Sequence, residues 1–257
     1  MSLVESTRSQ SVMTITLCDE ARRNALSDQL VVELVDAIDE AERAEGVRVV
    51  VLTNRGSTFC AGANLAERSD SSRAANGRVV EVSELFTRIQ RSPLPFVGRL
   101  NGHCVAGGVG LAAVLDIAVA LDTATFGFSE VRLGLAPAII SVVCLPKMRD
   151  ADAKSAFLRG NRFSASEAVA MGLINACVPA DRLDDEVAAV VNDLLAGEPH
   201  ALAVAKELTR SVPTMDKDEA YAWTTRLSSE LFHSRTASEG MAAFLEKRVA
   251  SWVERLD

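Results

Sequence analysis

The N-terminal part of the chain passes from an alternating hydrophobic pattern to a helical repeat and back to an extended one. Met13, Ile15 and Leu17 alternate with polar neighbours, which is typical of a strand with one buried face. After Ser27, a favourable N-cap residue, apolar side chains recur at helical spacing, namely Leu30, Val31, Leu34, Val35, Ile38 and Ala41. Gly46 ends this helix, and the apolar run 47–53 predicts a strand covered on both faces. This order indicates parallel strands joined by a right-handed crossover.

A second unit of the same kind follows. The polar segment 67–76 predicts a loop. A helical stripe comes next, formed by Val79, Val82, Phe86 and Ile89. Phe96–Leu100 predicts a strand, 101–102 a turn, Gly107 the start of a helix that ends near 115, and Ile117–Leu121 another buried strand. The first half of the chain is therefore predicted to be α/β.

The second half is predicted to be mainly helical. Ser164 and Glu167 have the spacing of a capping box, Gly172 ends that short helix, and 173–178 predicts a late strand. From Asp181 onward the pattern is helical. Two apolar stripes carry this prediction: one is Leu183, Val187, Val190 and Leu194, and the other is Met241, Phe244, Leu245, Val249 and Trp252.

Composition narrows the class of protein. The 257 residues are 48% hydrophobic and 24% charged, which excludes fibrous and disordered classes. A net charge of −8 argues against nucleic-acid binding through bulk charge. The apolar segment 104–121 has the length of a membrane span, but its clustered glycines and Asp116 favour a buried helix followed by a strand. We therefore expect neither a nucleic-acid partner nor a membrane.

The cysteines and histidines indicate a protein that resides in a reducing compartment and has no metal site. The cysteines are single, odd in number and without a C-x-x-C pair: Cys18, Cys60, Cys104, Cys144 and Cys177. Glu5 and Arg8 interrupt the apolar stretch that a secretion signal needs, so a cytoplasmic location is expected. No two histidines have i, i+4 spacing, which argues against a zinc site, and His103 is expected to be a hydrogen-bonded turn residue.

Two turns rich in small residues are the strongest candidates for chemistry. Segments 57–65 and 100–111 each follow a predicted strand, and their small side chains let backbone N–H groups approach a ligand. Gly107 is placed at a helix N-terminus, where unsatisfied N–H groups favour negative charge. An anion or oxyanion site is the inference. A dinucleotide site over 108–113 is disfavoured because the glycines do not directly follow the first strand, and Ser129 lacks the G-x-S-x-G of a hydrolase.

At these segments the chain resembles the enoyl-CoA hydratase/isomerase, or crotonase, family. The resemblance rests on motifs in matching order: RRNALS near Arg22, FCAGANL at Phe59, LNGHCVAGGVGL at Leu100, FGFSE ending at Glu130 with RLGL after it, and EGM to Lys247. It covers nearly the whole chain. It implies an α/β fold with a ββα spiral core over 1–195 and a C-terminal helical trimerisation region over 196–257. A homotrimer or a dimer of trimers is the implied assembly.

The resemblance also implies a ligand and its contacts. The partner would be an acyl-CoA thioester, so coenzyme A would enter with the substrate and no separate cofactor is expected. Ala63 and Gly107 match the two backbone donors of the family's oxyanion hole. Asn64 replaces a common aspartate, and its amide is expected to cap the next helix. The residues that match substrate and coenzyme A contacts are Arg22, Ala25, Leu26, Ala61, Ala63, Asn64, Leu65, Gly107 and Lys247.

The catalytic set implied by the resemblance is Glu130, Ala63, Gly107 and Gly110. Glu130 matches the second of two family glutamates, whereas Gly110 occupies the position of the first. Segment 129–141 is similar to bacterial hydratases of the methylglutaconyl-CoA type, which favours an enoyl-CoA hydratase. The alternatives are a Δ3,Δ2-enoyl-CoA isomerase with Glu130 as its proton shuttle, and a catalytically weak acyl-CoA-binding protein. Arg68, Arg73 and Arg78 flank the expected acyl region and are expected at the surface.

Overall fold

Two sheets form the framework in a computed structural model, which describes residues 2–68 and 78–256. The six-stranded sheet has the order β1-β2-β3-β5-β7-β10, and the four-stranded sheet has the order β4-β6-β8-β9. The strands are β1 (Val4–Ser9), β2 (Val12–Leu17), β3 (Val49–Asn54), β4 (Thr58–Cys60), β5 (Phe96–Leu100), β6 (His103–Val105), β7 (Ile117–Leu121), β8 (Thr125–Gly127), β9 (Arg162–Ser164) and β10 (Ala176–Val178). The β1–β2 and β8–β9 pairs are antiparallel, and the other pairs are parallel.

Helices pack against both sheets and make up most of the C-terminal part of the chain. They are α1 (Asp28–Arg43), α2 (Leu65–Arg68), α3 (Val82–Arg91), α4 (Gly107–Val114), α5 (Ala138–Cys144), α6 (Asp150–Arg159), α7 (Ala165–Ala170), α8 (Leu183–Ala196), α9 (Pro199–Ser211), α10 (Lys217–Phe232) and α11 (Arg235–Glu246). Short 3-10 turns lie at Glu20–Arg22, Ser129–Leu133, Ala180–Arg182 and Val212–Thr214. The predicted order, α/β first and helical last, is confirmed.

β3 shows why its sequence is apolar throughout, since all six of its residues are buried. Val50 and Leu52 face the main core, which includes the apolar stripe of α1. Val49 and Val51 face the other side, where they join the residues that α8 buries: Leu183, Val187, Val191 and Leu195. The strand is therefore covered on both faces, as predicted.

Several predicted boundaries are confirmed and several are wrong. Ser27 caps α1 by accepting from the Leu30 N–H at 3.2 Å, and Ser164 and Glu167 form the predicted capping box. Val79 lies before α3, and the late strand is limited to Ala176–Val178. In α8, the neighbours Val191 and Leu195 are more deeply buried than the predicted Val190 and Leu194. Most of the predicted loop 67–76 lies outside the described residues.

The apolar segment 104–121 is a buried helix followed by a strand, as predicted. It contains part of β6, then α4 and β7, and these three elements are largely buried in the main core. In the part of the chain that the structure describes, no helix has the length and apolar character required to cross a membrane.

The C-terminal segment returns to the core after α11. The predicted helical stripe from Met241 to Trp252 is confirmed within α11 and is wrong beyond it, because the helix ends at Glu246, before Val249 and Trp252. Phe244 of this stripe is 83% exposed. Beyond it, Arg48 donates to the carbonyls of Gly197 at 2.5 Å and Trp252 at 2.6 Å. The buried Arg48 guanidinium, directly before β3, therefore connects the start of that strand to the residue after α8 and to the segment after α11. Whether 1–195 and 196–257 are separate domains stays a prediction.

Candidate active site

One cavity of about 540 Å³ brings together most of the motifs that the sequence singles out. Its walls come from the turn after β4, the start of α4, the 3-10 turn Ser129–Leu133 and α5. Its lining residues are Leu26, Ala61, Ala63, Leu65, Val82, Ala106, Gly107, Ser129, Glu130, Leu133, Leu135, Ala136, Pro137, Ala138, Ile139 and Ile140. Apart from Glu130 and Ser129, the lining residues among the described part of the chain are apolar. A concave apolar site with few polar groups is typical of a small-molecule pocket.

The two small-residue turns meet at Gly62 and Gly107. Gly62 has a φ of +88°, and a Cβ on it would lie 2.9 Å from the Gly107 nitrogen and 2.9 Å from the Val105 carbonyl oxygen. Only glycine permits both that φ and that approach. The RRNALS segment joins the same turn, because the Leu26 N–H donates to the Gly62 carbonyl at 2.7 Å. Three sequence-distant segments therefore form one backbone cluster.

This cluster leaves the N–H groups of Ala63 and Gly107 free to bind a ligand. Gly107 is the first residue of α4, so its N–H has no acceptor within the helix. Within 2–68 and 78–256, neither N–H donates a hydrogen bond to the protein. Both residues line the cavity, and the positive end of the α4 dipole adds to their attraction for negative charge.

Ala106 holds the start of α4 in an uncommon conformation. Its φ is 50° and its ψ is −121°, a region that residues with a Cβ rarely adopt. Such strain costs about 1–3 kcal/mol and persists only where the surroundings enforce it. Here the Ala106 N–H donates to the Gly127 carbonyl at 2.8 Å, which fixes the turn to β8. The sequence carries no signal for this strain, because alanine at a helix start is unremarkable.

Glu130 supplies the cavity's only ionisable side chain among the described residues. It lies in the 3-10 turn Ser129–Leu133, and its Oε2 atom is buried with no hydrogen-bond partner in the described part of the chain. Burial raises the pKa of this carboxyl group above its ordinary value. A carboxylate with a raised pKa is a stronger base than an exposed one, so it accepts a proton more readily.

Aromatic packing and a glycine support the turn that carries Glu130. The Phe128 ring, fully buried, lies 4.3 Å from the Phe157 ring and 6.0 Å from the Phe163 ring, measured between centroids. Gly160, at the end of α6, lies so close that a Cβ there would be 2.6 Å from Val131 Cγ2. The backbone position of Glu130 is therefore fixed from α6 and β9.

Gly110 lies behind the cavity and does not line it. It is buried in α4, where a Cβ would lie 2.4 Å from Ile140 Cγ2 and 3.1 Å from Phe86 Cε2. The space beside position 110 is thus filled by Ile140 of α5. Sequence reasoning missed this wall, because no local pattern indicates which helix packs against α4.

The other predicted site residues divide into those near the cavity and those apart from it. Ala25 is buried beside Leu26, and Asn64 is half-buried directly before α2. Arg22 is exposed, with Nη1 3.6 Å from Asp19 Oδ2. Lys247 is exposed in a left-handed conformation after α11 and does not line the cavity.

Two other predicted side chains, His103 and Arg78, lie away from the cavity. His103 is hydrogen-bonded, as predicted, but it begins β6 and its Nδ1 accepts from the Thr125 N–H at 3.0 Å. Arg78 forms a surface ion pair with Asp36 at 2.6 Å. The side chain of Arg68 and all of Arg73 lie outside the described residues. Among the described residues no group of three His, Cys, Asp or Glu side chains is placed to hold a metal ion.

Known proteins resemble this chain over nearly its whole length. The family model described as Enoyl-CoA hydratase/isomerase matches residues 7–255. The crystal structure of an enoyl-CoA hydratase from Mycobacterium smegmatis is 32% identical, with a TM-score of 0.90 and coverage of 97% of this chain and 98% of that one. Enoyl-CoA hydratase domain-containing protein 3, mitochondrial, from Danio rerio is 30% identical over 98% of this chain and 88% of its own length. The 2,3-dehydroadipyl-CoA hydratase of Escherichia coli strain K12 is 28% identical over 99% and 100% of the two chains.

Proposed function

Because the chain belongs to the enoyl-CoA hydratase/isomerase family, we propose that it hydrates a 2-enoyl-CoA thioester with Glu130 as the acid–base group. One observation carries the proposal: an apolar cavity brings the buried Glu130 carboxylate oxygen together with the N–H groups of Ala63 and Gly107, and none of these three groups has a hydrogen-bond partner in the described part of the chain. An acid–base group and a pair of donors in one apolar cavity suit chemistry beside a carbonyl. Relatives named as hydratases support the choice of reaction.

The Ala63 and Gly107 N–H groups serve as an oxyanion hole in this proposal. When a nucleophile adds to the double bond, electrons move through the conjugated system onto the thioester oxygen, and an enolate forms. Two N–H groups aimed at that oxygen stabilise the charge as it develops, and removing one such donor costs ~2.7–4 kcal/mol in comparable enzymes. The α4 N-terminus strengthens this effect.

Glu130 moves one proton in the proposed reaction. As a carboxylate it takes a proton from water while the water oxygen bonds to the β-carbon. The resulting carboxylic acid then gives that proton to the α-carbon as the enolate collapses. The product has gained one water, and Glu130 is ionised again. A single side chain therefore suffices for both proton transfers, which suits a cavity where Ile140 fills the space beside Gly110.

The same observation favours one alternative, the Δ3,Δ2-enoyl-CoA isomerase. With one carboxyl group in the described lining, Glu130 can take a proton from the α-carbon of a 3-enoyl thioester and return it to the γ-carbon. No water is gained in that reaction. The two activities share the oxyanion hole and differ only in the substrate and the fate of the proton.

Mass spectrometry of the purified protein with panels of trans-2-enoyl-CoA and 3-enoyl-CoA thioesters tests the proposal. Addition of one water to a 2-enoyl thioester is the expected result. Conversion of a 3-enoyl to a 2-enoyl thioester without addition of water would establish the isomerase instead. Binding of thioesters without turnover would contradict both reactions and support a catalytically weak acyl-CoA-binding protein.

Coenzyme A contacts and assembly belong to the same proposal. Arg22 is exposed and lies close to the cavity, because the carbonyl of its neighbour Arg23 accepts a hydrogen bond from the Ala61 N–H at 3.1 Å. Its guanidinium is suited to bind a phosphate group of coenzyme A.

The exposed apolar side chains of α11 suit a trimer interface near Lys247. Phe244 and Leu245 are 83% and 78% exposed on this helix. Light scattering at micromolar concentration is expected to give a trimer or hexamer, and a monomer would contradict this part.

A further inference from the structure

Ile140 is the side chain where the inner wall of the cavity and the packing of α4 meet. It is 4% exposed, lines the cavity, and belongs to α5. Its Cγ2 would lie 2.4 Å, and its Cβ 2.8 Å, from a Cβ on Gly110. Phe86 of α3 closes the same space from the other side at 3.1 Å. Gly110 therefore lets α5 approach α4 so closely that an isoleucine fills the place of a side chain at position 110.

The wall that results is apolar. Val82 and Ile140 line the cavity here, and Phe86 is 3% exposed behind them. Nothing in the described lining offers a charge to a substrate except Glu130. An uncharged acyl group would therefore meet hydrocarbon along this wall, and the bulk of the wall would set how much of the acyl group fits.

We propose that Ile140 determines the size of the acyl group that this enzyme accepts. It can take this position because Gly110 has no side chain, so that Ile140 fills the space beside it. The proposal rests on the proposed action on enoyl-CoA thioesters. It makes position 140, rather than position 110, the residue that distinguishes short from long acyl chains. It also predicts that the two positions are coupled, because a side chain at one requires a smaller side chain at the other.

Acyl-chain preference is the first test. Ile140→Ala is expected to raise kcat/KM for trans-2-octenoyl-CoA relative to crotonyl-CoA by about 10-fold or more, the discrimination that methylene-sized changes give in apolar pockets. Val143→Ala is the matched control, since Val143 is buried on the same helix but does not line the cavity. Its ratio is expected to equal that of the wild type. An unchanged ratio in Ile140→Ala, with an active wild type, overturns the proposal.

Measurements of binding distinguish a failure of the proposal on Ile140 from a failure of the proposed reaction. If the wild type turns over neither thioester, the proposed function fails. The ratio of affinities for octanoyl-CoA and butyryl-CoA then tests Ile140 without turnover. A ratio that rises in Ile140→Ala but not in Val143→Ala supports the size limit, and equal ratios in all three proteins overturn it.

Thermal unfolding tests the coupling between the positions. Gly110→Ala is expected to lower Tm, because its methyl group meets Ile140 Cγ2 at 2.4 Å. In Gly110→Ala/Ile140→Ala the Tm loss is expected to be smaller than the sum of the single losses. The control Gly110→Ala/Val143→Ala is expected to show additive losses. Additive losses in both double variants would overturn the coupling.

Discussion

Glu130 shows how the same residue type takes different roles in different surroundings. A glutamate is by default a solvated surface group, and the motif around Glu130 was the only sign in the sequence of another role. The structure adds the physical reason, because one carboxylate oxygen is buried beside the cavity and has no hydrogen-bond partner among the residues that the structure describes. The sequence could place this residue in a site but could not show its burial, which depends on Phe128 and α6.

Replacement of Glu130 by glutamine tests its role directly. Glu130→Gln keeps the shape but removes the proton acceptor, so kcat is expected to fall ~10²–10⁴-fold while the affinity for thioesters changes little. Steady-state kinetics on a 2-enoyl-CoA thioester measures this effect. Glu84→Gln, at an exposed position of α3, is the control and is expected to match the wild type. Wild-type kcat in Glu130→Gln would refute the assignment.

The raised pKa of Glu130 has consequences for both activity and stability. Because Glu130 must be ionised to act as a base, kcat/KM is expected to fall at low pH. The midpoint of this fall is expected to lie above the ordinary pKa of a glutamate, since burial raises the pKa of Glu130. A raised pKa in the folded protein means that folding favours the protonated form of Glu130. The contribution of this group to the free energy of unfolding is therefore fully present at pH values below its ordinary pKa, and it is lost as the pH rises through the raised pKa. Denaturant unfolding at neutral pH is therefore expected to show Glu130→Gln as the more stable protein. Equal stability at every pH would contradict the burial argument.

Among the elements, segments with a clear hydrophobic period, an apolar run or a capping box were predictable, and three-residue strands without such a pattern were not. The repeat of α1 and the apolar run of β3 predicted both elements, because their burial follows from their own patterns. The three-residue strands β4 and β6 carry no period, and edge strand β1 buries only Val4. The cavity wall made by α5 was also missed, because its contact with Gly110 depends on tertiary packing.

The junction of the two turns gives a prediction at this scale. Gly62→Ala places a methyl group 2.9 Å from the Gly107 nitrogen, which separates the turns and moves one donor, so kcat is expected to fall ~10²–10³-fold. Gly46→Ala is the matched control, because its φ is also positive, at +80°, but its methyl group would meet only the end of the Arg8 side chain. Both variants lose stability, whereas only Gly62→Ala is expected to lose kcat. Equal kcat in the two variants would contradict the proposed role of the turns.

At the scale of the whole molecule, buried cations hold the C-terminal helices against the sheet. Lys206 of α9 is 9% exposed and lies 2.8 Å from Asp116 Oδ2. Its ammonium also donates to the carbonyls of Ile89 at 2.9 Å and Leu94 at 2.8 Å. The sequence predicted helices here but gave no sign of this anchor, because a lone lysine on a helix is usually solvated.

Removal of the Lys206 charge is expected to be costly. Lys206→Met removes the charge partner of Asp116 and the donor of two carbonyls, while the Phe96 N–H still donates to Asp116 Oδ2 at 2.7 Å. The free energy of unfolding is expected to fall by ~3 kcal/mol. Lys154→Met is the control, because Lys154 pairs with Asp150 at an exposed site and contributes little. Denaturant unfolding of both variants measures the difference. A loss below ~1 kcal/mol in Lys206→Met would show that the anchor is dispensable.

The buried guanidinium of Arg48 also constrains when the molecule can mature during synthesis. Its acceptor at Trp252 is 204 residues away along the chain, and the Gly197 carbonyl is 149 residues away. Contacts of such separation are slow to form, because a long loop must close before they contribute. The Arg48 guanidinium, directly before β3, therefore gains both carbonyl acceptors only after residues 197 and 252 have been synthesised. A segment that is translated late thus completes the surroundings of a strand that is translated early.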